Sequence, residues 1–221
     1  MLLQLLQTAP LTFAVVAGVL LYSLALHELG HALVADRMGD PTARNLGRVT
    51  LNPLKHLDPL GTLLLLVVGF GWAKPVPIQP RNFRHARAGM FWVSVAGILV
   101  NLAIAVAALV ILAALGTKLG NLRGIFPDQA GAGGDPLRYG LFVAAQINIV
   151  LAVFNLLPVP PLDGSKMLGA LLPRSLQGVL WSLERYGFLI VVLVITVFRE
   201  PVFNLINGVT FALMRVILGT A

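Results

Sequence analysis

Residues 11–34 form an apolar run that nevertheless holds His27, Glu28 and His31. A run of this length is enough to cross a bilayer, which takes about 20 apolar residues in a helix. Ionisable groups inside such a helix cost roughly 2.5–3.5 kcal/mol each on insertion scales, so by default they mark function. The run does not read as a cleaved leader. No Lys or Arg precedes it, and no small-residue cleavage site ends a short apolar core.

The rest of the chain agrees with a membrane setting. Apolar types make up 57% of the 221 residues and charged types 11%, against about 25% charged residues in soluble domains. That excludes a charged globular surface, and it excludes disorder, which needs low hydrophobicity and high charge. The net charge of +7 does not point to nucleic acid, because the basic residues lie mostly in short stretches between apolar runs, where they set topology. No cysteine is present. Disulfides, thiolate ligands and cysteine nucleophiles are therefore out, and any metal must be held by His, Asp or Glu.

Further runs at 88–115 and 137–157 are confident spans, and shorter ones centre on 188–198 and 202–218. Residues 60–72 are too short to cross and predict a re-entrant segment. Its exit, Trp72-Ala73-Lys74-Pro75-Val76-Pro77, stops any helix through its prolines. Eight basic residues lie between the first run and 88–115. A re-entrant 60–72 leaves all of them on one side, which the positive-inside rule makes cytoplasmic. Residues 46–51 alternate weakly, as a short strand would. These features predict an all-α membrane protein, a polytopic bundle of about five to six apolar segments. The chain reads as a single domain over 1–221. A three-helix core occupies about 11–172, with C-terminal helices at about 176–218 and a short re-entrant and β element between the first two core helices.

His27-Glu28-Leu29-Gly30-His31 is an H-E-x-x-H pattern. Positions i and i+4 share a helix face, so both imidazoles can reach one ion. Glu28 projects about 100° away, near enough to touch metal-activated water without having to ligate. Imidazole plus carboxylate suits zinc with an open fourth position. A third ligand is needed. Asp163 stands out among the carboxylates because it follows Pro158-Val159-Pro160-Pro161-Leu162 directly after a span, and irregular backbone at membrane depth is tolerated only beside protein or a water-filled cavity. The competing reading of Asp163 is a helix N-cap, in which case Glu184 or Glu200 becomes the third ligand.

H-E-x-x-H within a membrane helix, followed some 130 residues later by Asn155-Leu156-Leu157-Pro158-Val159-Pro160-Pro161-Leu162-Asp163-Gly164, resembles the site-2 protease family of intramembrane zinc metalloproteases. Between the two, Ala96-Gly97-Ile98-Leu99-Val100-Asn101 resembles the family's G-x-x-x-N motif. The resemblance implies one zinc ion per chain, held by His27, His31 and Asp163, with Glu28 as general base. It implies that Asn155 orients substrate or stabilises the oxyanion. Asn101 is either a substrate contact or part of a packing stripe with Ser94 and Gly97. The type implied is the compact prokaryotic one without PDZ or CBS domains, a multi-pass protein of the cell membrane with its site nearer the cytoplasmic face. Its partners are the lipid bilayer and a transmembrane protein substrate, cleaved in regulated intramembrane proteolysis.

The expected reaction is hydrolysis of a peptide bond in or near a transmembrane segment, which must unwind first because its carbonyls are hydrogen-bonded along the helix. A strand at 46–51 with a free edge would pair with that unwound segment, making Arg48, Val49 and Thr50 substrate contacts; the alternative is an ordinary surface hairpin. Two other functions share these residues. A metal-ion transporter also needs intramembrane His and Asp, but no Glu placed as a base. A proteolytically inactive relative that binds membrane proteins would not need the set intact.

Overall fold

The computed structural model describes residues 2–68, 71–126 and 134–219. The helices run α1 (Leu2–Thr8), α2 (Pro10–Arg37), α3 (Thr42–Asn45), α4 (Pro59–Val68) and α5 (Ala86–Ala114) in the first half. They continue as α6 (Pro136–Leu156), α7 (Asp163–Leu171), α8 (Arg174–Glu184), α9 (Gly187–Val197) and α10 (Arg199–Leu218). Among these, α2, α5, α6 and α10 are long and apolar enough to cross a membrane. The expected runs at 11–34, 88–115 and 137–157 are α2, α5 and α6.

Sequence sets the helix starts. Pro10 and Pro136 each stand at a first-turn position, where the missing N–H has no helical partner in any case. The Asp135 carboxylate caps α6 by accepting from the amides of Leu137 and Arg138. Helix α5 is the central pillar, packed against α2, α6, α7 and α10. Its Ala105, Ala108, Leu109 and Leu112 form a buried core with Ala145, Ile149 and Val153 of α6 and Met214 and Leu218 of α10. Helix α10 thus buttresses the second half of α5, beyond Asn101.

The segment after α3 departs from expectation. No strand forms among the described residues, and 46–51 is a turn followed by bends. Local turn chemistry takes the backbone groups that a ladder would need: Gly47, at φ +64°, donates to Arg44 O, and Arg48 N donates to Ala43 O. Val49 tucks against Ala32, Ala43 and Val76, while Leu46 and Leu51 stay exposed. The re-entrant expectation holds. Helix α4 has only 10 residues, about 15 Å, and its flanks come back together: Leu57 pairs with Ala73, and Lys74 N donates to His56 O.

The exit of that loop is an extended strap, residues 72–79, laid beside α2. It is held at its far end by Asp40, which is fully buried and accepts from Gln79 N (2.6 Å), Asn82 Nδ2 (2.8 Å) and both the amide and hydroxyl of Thr42. Burial pushes the Asp40 carboxyl up, but these four donors outweigh it and hold the pKa below the ordinary carboxylate value.

Candidate metal centre

Three side chains converge from two helices that are distant in sequence. His27 and His31 face the same side of α2, their Nε2 atoms 3.0 Å apart. Asp163 opens α7 at the end of the proline-rich turn, and its Oδ2 lies 3.2 Å from His27 Nε2 and 3.1 Å from His31 Nε2. All three residues are buried. Asp163 is not a cap: α7 has no side-chain cap hydrogen bond, and the residue at its N-cap position is Leu162.

The tautomers follow from the outer partners. His31 Nδ1 lies 2.7 Å from the carbonyl of Val93, which can only accept, so Nδ1 carries the proton and Nε2 a lone pair. For His27 the sense is set by a longer line. Asn148 Nδ2 donates to the carbonyl of Ala144, also only an acceptor, and to Ser23 Oγ. Asn148 Oδ1 therefore accepts from Asn101 Nδ2 (2.8 Å), which leaves Asn101 Oδ1 facing His27 Nδ1 at 2.6 Å. His27 must donate there as well. With both imidazoles neutral, two lone pairs and a carboxylate oxygen face one another, and Asp163 Oδ2 is buried without a hydrogen-bond partner.

A metal cation between them satisfies that arrangement, and the spacing fits zinc. Ligands ~2.0–2.1 Å from a tetrahedral ion stand about 3.3 Å apart, close to the 3.0–3.2 Å edges of this triangle. Glu28 contributes an oxygen within 4.8 Å of the histidine nitrogens. Its Oε2 accepts from the strap amide Val76 N at 2.7 Å, so the second oxygen is free. Lys166 Nζ lies 3.5 Å from Asp163 Oδ1, on the side away from the imidazoles.

The cluster forms one wall of a cavity of about 550 Å³ closed by the strap, α5, α6 and α9. Asn155 lines it; one of its amide hydrogens goes to Leu151 O and the other is available to a ligand. Glu184 is on the cavity wall, outside the histidine cluster, and Glu200 is exposed at the head of α10. Asn101 is fully buried on α5 with Ser94 and Gly97, as the packing-stripe reading has it, and its Oδ1 also bonds His27 Nδ1. Arg48, Val49 and Thr50 do not line the cavity. The strand-edge role expected for them has no edge to act through. One position carries weight that the motif reading did not reveal: Asn148, which sets the sense of the amide line. Gly97, the glycine of the G-x-x-x-N motif, stands where a Cβ would come 2.6 Å from Cε1 of both imidazoles.

YwhC of Bacillus subtilis (strain 168) is 41% identical over 174 residues, covering 77% of this chain and 75% of its own. The profile of peptidase family M50 matches residues 117–199. The chain belongs to peptidase family M50. Rip2 of Mycolicibacterium smegmatis is 34% identical over 186 residues, 82% of this chain and 66% of that protein. Rip2 of Mycobacterium tuberculosis (strain H37Rv) is 30% identical over 204 residues. The names of all three class them provisionally as zinc metalloproteases. No solved structure matches the chain. The resemblance to the site-2 protease family is borne out, and the chain is a multi-pass M50 metalloprotease.

In an M50 site of this construction the outer partners should matter nearly as much as the ligands. Asn101→Ala removes the acceptor for His27 and leaves Asn148 with a buried unpaired oxygen. Zinc affinity should fall about 10–100-fold, read by competition with a chromogenic chelator. Unchanged affinity would mean that α2 packing alone orients the ring.

Proposed function

We propose that the chain hydrolyses a peptide bond in or near a transmembrane segment of a membrane-protein substrate. One zinc ion is held by His27, His31 and Asp163, with Glu28 as general base and Asn155 as a hydrogen-bond donor to substrate. The observation that carries this reading is the convergence of two imidazole Nε2 atoms and a carboxylate oxygen within 3.0–3.2 Å of one another, beside a second carboxylate tethered through one oxygen. A transporter would need no such carboxylate held out of the ligand triangle.

A zinc ion there supplies Lewis acidity, polarising a carbonyl and acidifying water. The residues do the rest. Glu28 Oε2 is anchored on Val76 N, so the other oxygen takes the proton of the attacking water and passes it to the departing amine. The free N–H of Asn155 supports the developing negative charge on the carbonyl oxygen. The strap and the proline-rich turn before Asp163 shelter an opened, non-helical stretch of substrate from lipid, where bare backbone groups could not be left unpaired.

Depth supports an intramembrane reaction. His31 and His27 stand six and ten residues before Arg37, the last residue of α2, or about 9 and 15 Å along the helix. The basic residues of the loop 37–87 gather at that same end, which favours a site nearer the cytoplasmic face of the cell membrane.

Purified protein in liposomes, given a transmembrane test substrate carrying Gly or Pro near its centre, tests the reading. Cleavage should vanish with a strong chelator and return with stoichiometric zinc. Cleavage that persists without metal, or zinc flux without any cleavage, overturns it.

A further inference from the structure

The Glu28 carboxylate owes its position to one peptide group, and that group is itself held from behind. The amide joining Pro75 to Val76 donates through Val76 N to Glu28 Oε2 at 2.7 Å. Its carbonyl, Pro75 O, accepts from Arg48 Nη1 at 3.2 Å, and the preceding carbonyl, Lys74 O, accepts from Arg48 Nη2 at 2.7 Å. Arg48 is buried, 8% exposed, and lines neither the catalytic cavity nor the neighbouring one of about 530 Å³.

From this geometry we infer that Arg48 is a positioning residue for Glu28, acting through the Pro75–Val76 peptide. The proposal rests on Glu28 being the proton acceptor. Three physical points carry it. A peptide group is planar, so a guanidinium fork fixed on two consecutive carbonyls sets the direction of the N–H on the far side. A cation at the carbonyl and an anion at the N–H polarise the same amide in the same sense, and bonds in such a line strengthen one another. Finally, proline has no N–H, so within Pro75-Val76-Pro77 only Val76 can donate, and the strap cannot slip by a residue and find Glu28 again. The rest of the strap is held independently of Arg48, by Asp40 at Gln79 and by His56 at Lys74. Removing the guanidinium therefore loosens the aim of one amide and leaves the strap attached.

The test uses the zinc-loaded full chain with Arg48→Met, Arg48→Lys and Glu28→Gln as variants. Cleavage is measured in liposomes, zinc content by mass spectrometry, and the Val76 amide by NMR of valine-labelled protein, assigned by loss of its signal in Val76→Ile. In Arg48→Met, kcat should fall on the order of 10-fold, with KM within twofold and zinc content unchanged. The Val76 amide proton should move upfield, towards its position in Glu28→Gln. Arg48→Lys, able to serve one carbonyl, should recover part of both effects. Full kcat in zinc-loaded Arg48→Met, or a Val76 amide that does not move, overturns the inference. If Arg48→Met does not accumulate, Arg48→Lys decides: intermediate kcat with a partly shifted amide supports the relay, and wild-type values for both refute it. Should Glu28→Gln itself cleave at the wild-type rate, the assignment of Glu28 falls first, and the role of Arg48 with it.

Discussion

Glu28→Gln should lose cleavage by about 10²–10⁴-fold, the usual worth of a general base, and keep its full complement of zinc. The two side chains have the same shape, and the glutamine carbonyl can still accept from Val76 N, so the strap stays where it is. What disappears is the ability to take a proton. On the proposed ligand set Glu28 is not a ligand, since His27, His31 and Asp163 already meet edge to edge at 3.0–3.2 Å. Zinc content by mass spectrometry, paired with cleavage rates at saturating substrate, separates the possibilities. Zinc lost together with activity would make Glu28 a ligand; an unimpaired rate would move the base elsewhere.

Gly97→Ala should be the more destructive change, although it adds only a methyl group. A Cβ at this position would stand 2.6 Å from Cε1 of both His27 and His31 and 2.7 Å from His27 Nε2, well inside van der Waals contact. The rings cannot simply swing aside. Their Nδ1 atoms are bonded to Asn101 and to the Val93 carbonyl, and both partners lie on α5, the helix that carries Gly97. Either those bonds break or α2 and α5 separate. Overpacking of this kind costs typically about 1–3 kcal/mol. Zinc affinity should drop by more than the ~10–100-fold expected from losing one outer partner. Gly18→Ala is the control, since a Cβ there meets nothing within 4 Å. Chelator competition on both variants reads the difference, and wild-type zinc binding by Gly97→Ala would show that the helices yield without cost.

The spans and the histidine pair were legible in the sequence because hydropathy and i, i+4 spacing are local properties. Asp163 was legible as a candidate from the irregular backbone that Pro158, Pro160 and Pro161 enforce, but the choice between ligand and cap depends on where α7 lies against α2, which no local pattern encodes. The strand at 46–51 failed for the opposite reason. Six alternating residues make a weak signal, and the Gly47 turn consumed the donors before any partner strand could use them. Asn101 was legible through the G-x-x-x-N motif, and Ser23 and Asn148 could have been noticed as isolated polar residues within apolar runs; that the three form one line requires three helices to be docked. The strap's sequence showed where helix stops and resembled the compact prokaryotic type, but not what the strap holds. Its work is done by a single N–H, and the partner of that N–H lies 48 residues away in sequence.

The division of the ligand triangle between α2 and α7 also has a consequence in time. A chain emerging during synthesis presents both histidines with α2, whereas Asp163 follows only after α5 and α6 have been made. The amide line that fixes His27 closes on Ala144 of that same late helix. A partly inserted chain therefore has imidazoles without their third ligand, and His27 without a fixed tautomer. On the proposed ligand set, hydrolytic competence cannot arise before α7 has been made, after α2, α5 and α6.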